Sequence, residues 1–93
     1  MESATIFVRG RVQGVGFRWW TRRRALELGL IGFARNMADA RVEICAQGAP
    51  EAIARLRELI EEEPSTTGRP GRVRACVVRS GDIKEGLSGF HEW

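Results

Sequence analysis

One segment near the N-terminus combines glycines with an arginine in a spacing that suits the binding of an anion. Glycines allow sharp turns that point successive backbone N–H groups toward one place, and a following helix adds the positive end of its dipole. Arg18, in the first turn of that helix, can add two charge-assisted hydrogen bonds. We therefore predict a phosphate or carboxylate site. The segment reads Gly10-Arg11-Val12-Gln13-Gly14-Val15-Gly16-Phe17-Arg18.

The glycine spacing alone does not decide between a binding site and a simple turn. Gly-x-x-x-Gly-x-Gly is neither the dinucleotide fingerprint nor the Walker loop, which ends in Gly-Lys-Ser/Thr. A tight turn without a ligand is as compatible with this spacing as an anion site is.

Other catalytic or metal-binding patterns are missing from the sequence. His91 is the one histidine, and Cys45 and Cys76 lie in separate strand-like runs without metal-ligand spacing. We therefore predict no metal and no cofactor. We expect both cysteines on the outer face of a sheet on either side of Phe7, roughly 10 Å apart, too far for a disulfide.

The bulk properties describe one ordinary globular domain, residues 1–93. Hydrophobic residues make up 43% of the chain and charged residues 29%. No apolar run approaches the roughly 18 residues that span a bilayer, and no signal-peptide layout is present, so we expect a cytoplasmic protein without a membrane partner. The net charge of +3 comes from an arginine-rich composition, which fits either anion recognition or a compositional bias.

Hydrophobic periodicity predicts the elements that position the loop. Period-two alternation indicates strands, and a stripe at steps of three and four, such as Phe17, Thr21 and Ala25, indicates a helix. The resulting class is α+β, a ferredoxin-like split βαβ sandwich with two helices on one face of an antiparallel sheet and the first strand between the third and fourth. The predicted strands are 5–12, 30–36, 41–47, 72–80 and 90–93, and the predicted helices are 17–28 and 50–63.

The loop residues, taken by type as well as spacing, resemble the signature of the acylphosphatase family. A second block of that family, Gly-aromatic-x-Arg-Asn followed after a short turn by Val-Glu, is similar to 32–36 and 42–43. The match is specific from about Ile6 to Gly48, and beyond it only the order of strands and helices agrees. The resemblance implies the ferredoxin-like fold and metal-free hydrolysis of acyl phosphates to a carboxylate and inorganic phosphate.

The resemblance also implies a role for each site residue. Arg18 would clamp the phosphate, and Asn36 would orient the attacking water. This division is physically reasonable, because an acyl phosphate has a good leaving group and mainly needs positioning and charge neutralisation. The substrate's own phosphate oxygen can accept the proton of the water. The residues whose backbone would wrap the phosphate are Gln13, Gly14, Val15, Gly16, Phe17 and Arg18.

The sequence departs from the family in the turn after Asn36. Most members have glycine where this chain has Ala40. Because alanine tolerates the left-handed conformation poorly, we expect either a different turn type or a positive φ at Asp39 instead.

Two functions other than catalysis fit part of the sequence. RNA-recognition domains share this layout and the chain is basic, but they need aromatics in the third strand, and 41–47 contains none. A catalytically idle phosphate binder is disfavoured by the presence of both Arg18 and Asn36. We therefore expect a small-molecule acyl phosphate as the partner, no nucleic acid, and a monomer.

Overall fold

The computed structural model describes all 93 residues, Met1–Trp93, as one mixed five-stranded sheet with two helices. The sheet order is β4-β1-β3-β2-β5, so the first strand lies between the third and fourth, as predicted. The α+β ferredoxin-like class is confirmed. The strands are β1 (Glu2–Arg11), β2 (Ile31–Asn36), β3 (Val42–Gly48), β4 (Arg72–Gly81) and β5 (Phe90–Glu92), and the helices are α1 (Phe17–Glu27) and α2 (Pro50–Glu61).

The sheet is not wholly antiparallel as predicted, because β5 pairs in parallel with β2. After β4 the chain crosses from one edge of the sheet to the other before β5 begins. Gln47 fixes this crossing: its side-chain amide accepts from the Lys84 N–H at 2.5 Å and donates to the Lys84 carbonyl at 3.1 Å. The crossing places the end of β5 beside β2.

The alternation of β1 separates two faces of the sheet. Ile6 and Val8 are fully buried in the core shared with the helices, whereas Phe7 is half-buried and Arg9 is exposed. We call the side away from the helices the open face. The strand begins earlier than predicted, at Glu2.

Helix α1 buries the predicted stripe Phe17, Thr21 and Ala25. It ends before Gly29, whose φ of 73° is the left-handed conformation that terminates helices. Trp20 is also buried, and its indole N–H donates to the Thr67 carbonyl at 3.2 Å. Neither helix of the protein is long and apolar enough to cross a membrane.

The predicted position of Cys76 on the open face is wrong. In the ladder between β1 and β4, Arg9 pairs with Ala75 but Gly10 pairs with Val73, so β4 contains one extra residue. This bulge reverses the alternation of β4, because side chains on either side of an extra residue change face. Cys76 therefore packs against the core, whereas Cys45 pairs with Thr5 on the open face, and both thiols are free.

Candidate active site

The loop between β1 and α1 turns through two glycines in the left-handed region. Gly14 has φ 72° and Gly16 has φ 88°, and no heavy atom lies within 4 Å of the position that a Cβ would occupy at either residue. Glycine is therefore favoured by backbone conformation and not by lack of space. The loop faces open solvent at these positions.

The backbone N–H groups of this loop have no acceptor within the protein. None of the amides of 13–16 donates to a backbone or side-chain acceptor. Phe17 and Arg18 begin α1, where N–H groups have no intrahelical partner, and the first turn carries no acidic side chain. Consecutive free donors at the positive end of a helix form an anion site in which no side chain competes with the ligand. We call residues 13–18 the anion cradle.

The side chain of Gln13 ties the cradle to the turn between β2 and β3. Its amide nitrogen donates to the Met37 carbonyl at 2.9 Å and to the Arg41 carbonyl at 3.0 Å. Sequence reasoning included Gln13 only for its backbone N–H and missed this contact. The one feature of the sequence that could have indicated this contact is that Gln13 has the only polar side chain between Arg11 and Arg18.

Arg18 reaches the last strand. Its Nη1 donates to the Trp93 carbonyl at 2.7 Å, and the Trp93 N–H donates to the Ala34 carbonyl at 2.8 Å. The Nε and Nη2 groups of Arg18 have no acceptor within the protein. The guanidinium is thus fixed near the end of β2 with two nitrogens available.

Asn36 is the last residue of β2 and is exposed. It lies two residues after the buried Ala34, so strand alternation places it on the same side of the sheet. Its side-chain amide makes no hydrogen bond within the protein. Gln13 is bonded to Met37, the residue after β2, and Arg18 is linked through Trp93 to Ala34 of β2. Asn36 lies between these two points in the chain. The structure therefore places the predicted loop and both predicted side chains at the same end of the sheet, where β1 and β2 end.

The turn after Asn36 corrects one expectation, because Ala40 itself takes the positive φ, at 74°. The Asp39 carboxylate accepts from the Arg41 N–H at 3.2 Å and from the Arg41 Nε at 2.7 Å, which holds the turn in this conformation. Desolvation opposes ionisation of Asp39, but the hydrogen bonds from Arg41 outweigh it and lower the pKa of the carboxyl. Asn36 keeps its ladder position opposite Val42.

The remaining reactive side chains of the protein form no second centre. No group of three or more His, Cys, Asp or Glu side chains could hold a metal ion. His91 is hydrogen-bonded to the Ser88 carbonyl at 2.7 Å. Burial, together with the nearby Glu61 carboxylate, raises the pKa of the Cys76 thiol to about 11, so it is a poor nucleophile near neutral pH.

The largest cavity is distinct from the cradle. It measures about 740 Å³ and lies on the open face, where β1 ends and β4 begins. Neither 13–18 nor Asn36 contributes to its wall. The cavity is lined by Arg9, Gly10, Arg11, Asp39, Ala40, Gly71, Arg72 and Arg74.

Comparison with known proteins gives one consistent result. A family model described as acylphosphatase matches residues 4–92. An acylphosphatase of Mycobacterium sp. (strain JLS) is 53% identical over 88 residues, covering 95% of this chain and 89% of that protein. One from Acidothermus cellulolyticus is 55% identical over 86 residues, covering 92% and 81%. The crystal structure of acylphosphatase from Bacillus subtilis superposes with a TM-score of 0.83 at 31% identity, covering 100% of this chain and 99% of that one.

Proposed function

Because this chain belongs to the acylphosphatase family, we propose a specific division of labour among its residues. The family makes the protein a hydrolase that acts on acyl phosphates. The acylphosphatase function predicted from the sequence is therefore supported, and the alternative of a nucleic-acid-binding module is not.

The cradle amides hold the phosphoryl group of the substrate. The observation that carries this assignment is the run of backbone N–H groups from Gln13 to Arg18 without acceptors in the protein. The oxygens of a phosphoryl group can accept these hydrogen bonds, and the dipole of α1 favours their negative charge. Fixed donors need no reorganisation as charge develops on the phosphoryl oxygens.

Arg18 clamps the same group and neutralises its charge. The contact of Nη1 with the Trp93 carbonyl leaves Nε and Nη2 available, which is the fork that binds two phosphate oxygens. Gln13 is a positioning residue, since its side chain sets the distance between the cradle and the β2–β3 turn.

Asn36 orients the attacking water. Its amide has no protein partner, so its oxygen and nitrogen are both free to hydrogen-bond with water. The water attacks phosphorus as the bond from phosphorus to the carboxyl oxygen breaks, giving a carboxylate and inorganic phosphate. The water's proton passes to a phosphate oxygen of the substrate, so neither a protein base nor a metal is required.

The surroundings of the site suggest how the enzyme works in solution. No cavity encloses the cradle, so we infer that the acyl group stays largely in solvent and is weakly selected. We propose that the protein is a monomer, which light scattering would test. We also propose that the protein acts in the cytoplasm, which fractionation of the source cells would test.

The decisive experiment follows benzoyl phosphate loss in buffer containing EDTA. The parent should hydrolyse it rapidly, whereas folded Arg18→Ala and Asn36→Ala variants should each lose on the order of a hundredfold in kcat or more. Arg55→Ala, which removes an exposed arginine of α2, is the matched control and should keep full activity. Inhibition of the parent by EDTA would contradict the metal-free step. Full activity of either site variant would contradict its assigned role.

A further inference from the structure

Arginines that the hydrolytic reaction does not use are concentrated on the open face. They project from the adjacent strands β1 and β4 and from the turn before β3. Four of them line the cavity of about 740 Å³. We call this set the arginine face; it consists of Arg9, Arg11, Arg41, Arg72, Arg74 and Arg79.

The charge of this face is largely uncompensated. Its two nearby carboxylates are already bound: Asp39 by Arg41, and Glu43 by Arg35 of β2. The side chains of the four cavity arginines make no hydrogen bond and no ion pair within the protein. Four free guanidiniums on one surface repel one another, and a bound polyanion would relieve that repulsion. These four are Arg9, Arg11, Arg72 and Arg74.

An aromatic ring lies beside these arginines, at the centre of β1. Phe7 is half-buried, and the guanidiniums of Arg41 and Arg79 lie 4.9 and 6.0 Å from the centre of its ring. Val77, its partner on β4, is 52% exposed. The open face thus combines the exposed Val77 with a half-buried ring over which two guanidiniums lie. A base that stacks on this ring would take the place of one of these guanidiniums.

We propose that the arginine face binds single-stranded nucleic acid, with backbone phosphates on the free guanidiniums and a base on Phe7. Guanidinium pairs with phosphate in a bidentate manner. Alternate residues of a strand, such as Arg9 and Arg11, lie roughly 7 Å apart on one face and can contact successive phosphates. Bases of a single strand can stack on a sheet-surface aromatic, which the bases of a duplex cannot reach.

This proposal revises the expectation that the protein has no nucleic-acid partner. That expectation depended on the lack of aromatics in the third strand, whereas the half-buried ring of Phe7 belongs to β1. The arginine face shares no residue with the cradle and does not include Asn36, so the two properties can be tested with different variants.

Fluorescence anisotropy with a labelled oligothymidylate of roughly ten nucleotides tests the proposal. For four phosphate contacts, a plot of log Kobs against log salt should have a slope of about −3. The double variant Arg9→Gln/Arg74→Gln should bind more weakly and have a slope of about half that value. Phe7→Leu should weaken binding roughly tenfold and leave the slope unchanged. Arg55→Gln/Arg57→Gln on α2 removes the same charge elsewhere and should have little effect.

Three controls can overturn the proposal. Equal affinity for heparin or for a duplex would show only a general attraction of polyanions. Loss of oligothymidylate binding in the Arg18→Ala variant would place the contact at the cradle. An equal loss of affinity in Arg55→Gln/Arg57→Gln would show that binding depends on the net charge of the protein and not on the open face. Benzoyl phosphate hydrolysis should be unchanged in the open-face and α2 variants, because none of them alters the cradle, Arg18 or Asn36.

Discussion

The anion cradle and the arginine face both attract negative charge, but they are built from different parts of the chain. The cradle uses backbone N–H groups at the start of α1, fixed by Gly14 and Gly16. The arginine face uses long, mostly exposed side chains on β1, on β4 and in the turn before β3. A fixed backbone donor keeps its direction during a reaction, whereas a long side chain must lose conformational freedom to bind.

The difference indicates what each region can do. The cradle can stabilise charge that develops at one phosphoryl group, because its donors converge before the ligand arrives. The arginine face can follow an extended anion of variable shape, but its binding must weaken as salt increases. Charge of one sign therefore supports catalysis in one region and adaptable binding in the other.

The largest expected effect is the difference in kcat between replacing the cradle arginine and replacing an arginine of the open face. Arg18→Ala should reduce kcat for benzoyl phosphate by about 10²–10³, because the clamp acts on the transition state. Arg9→Ala, which removes an arginine of the open face, should change kcat less than twofold, because substitutions of exposed residues away from the active site usually have small effects. Steady-state kinetics on both folded variants measures the contrast. Comparable losses of kcat in the two variants would mean that the total positive charge of the protein, and not direct contact by Arg18, determines the rate.

The glycines of the cradle provide the next test. Gly16→Ala places a side chain at φ 88°, which costs about 1–2 kcal/mol or shifts the amides. Gly68→Ala introduces the same strain at φ 71° in the loop before β4. Both should lower the free energy of unfolding by similar amounts, but only the first should reduce kcat, by about tenfold or more. Denaturant titration together with kinetics separates the two effects. Equal kcat values in the two variants would contradict a fixed cradle.

Replacing the Gln13 side chain should give a smaller loss, because that side chain positions the cradle, whereas only the Gln13 backbone N–H contacts the substrate. Gln13→Ala removes the two hydrogen bonds to the β2–β3 turn, and we expect roughly tenfold lower kcat with KM little changed. Gln47→Ala also removes a pair of hydrogen bonds, those to Lys84, and should affect stability alone. If both variants lose kcat in step with their stability, Gln13 has only a structural role.

The smallest expected effect concerns Cys76 of β4, whose side chain packs against the core on the side of the sheet opposite to the arginine face. The pKa of Cys76 is raised from 9.0 to about 11, so the folded state keeps the thiol protonated where the unfolded state ionises. Stability is therefore full below pH 9 and falls as the pH rises toward 11. Because the thiol is partly exposed to solvent, we expect a loss of about 1 kcal/mol. Urea titrations across this range should show it, and Cys76→Ala should not.

The turn of the cradle and the place of Arg18 at the start of α1 could be predicted from sequence because they depend on short, local patterns. The catalytic roles of Arg18 and Asn36 stay predictions. Glycine spacing fixes a turn, and the first helical turn fixes where Arg18 begins. The resemblance to a family then supplied the role of Asn36. The buried stripes of both helices followed from periodicity, and Phe17, Leu56 and Ile60 are all in the core.

The remainder depends on contacts and local irregularities that no short pattern encodes. The bulge in β4 reversed the face of Cys76, although its alternating residues suggested a regular strand. Ala40 adopts the left-handed conformation because Asp39 and Arg41 close the turn around it. The open-face cavity combines β1, β4 and the β2–β3 turn, which are far apart in sequence.

The hydrogen bond from Arg18 to Trp93 has a consequence for the order in which the site is assembled. It joins residues 75 positions apart, whereas the turn of the cradle is set by neighbours in the chain. Contacts of long sequence separation form late, because closing a large loop costs entropy before the contact stabilises it. A folding chain would thus acquire its phosphate-binding turn early, and Arg18 would be correctly aimed only after β5 has docked. Hydrolytic activity should therefore be among the last properties to be recovered on refolding.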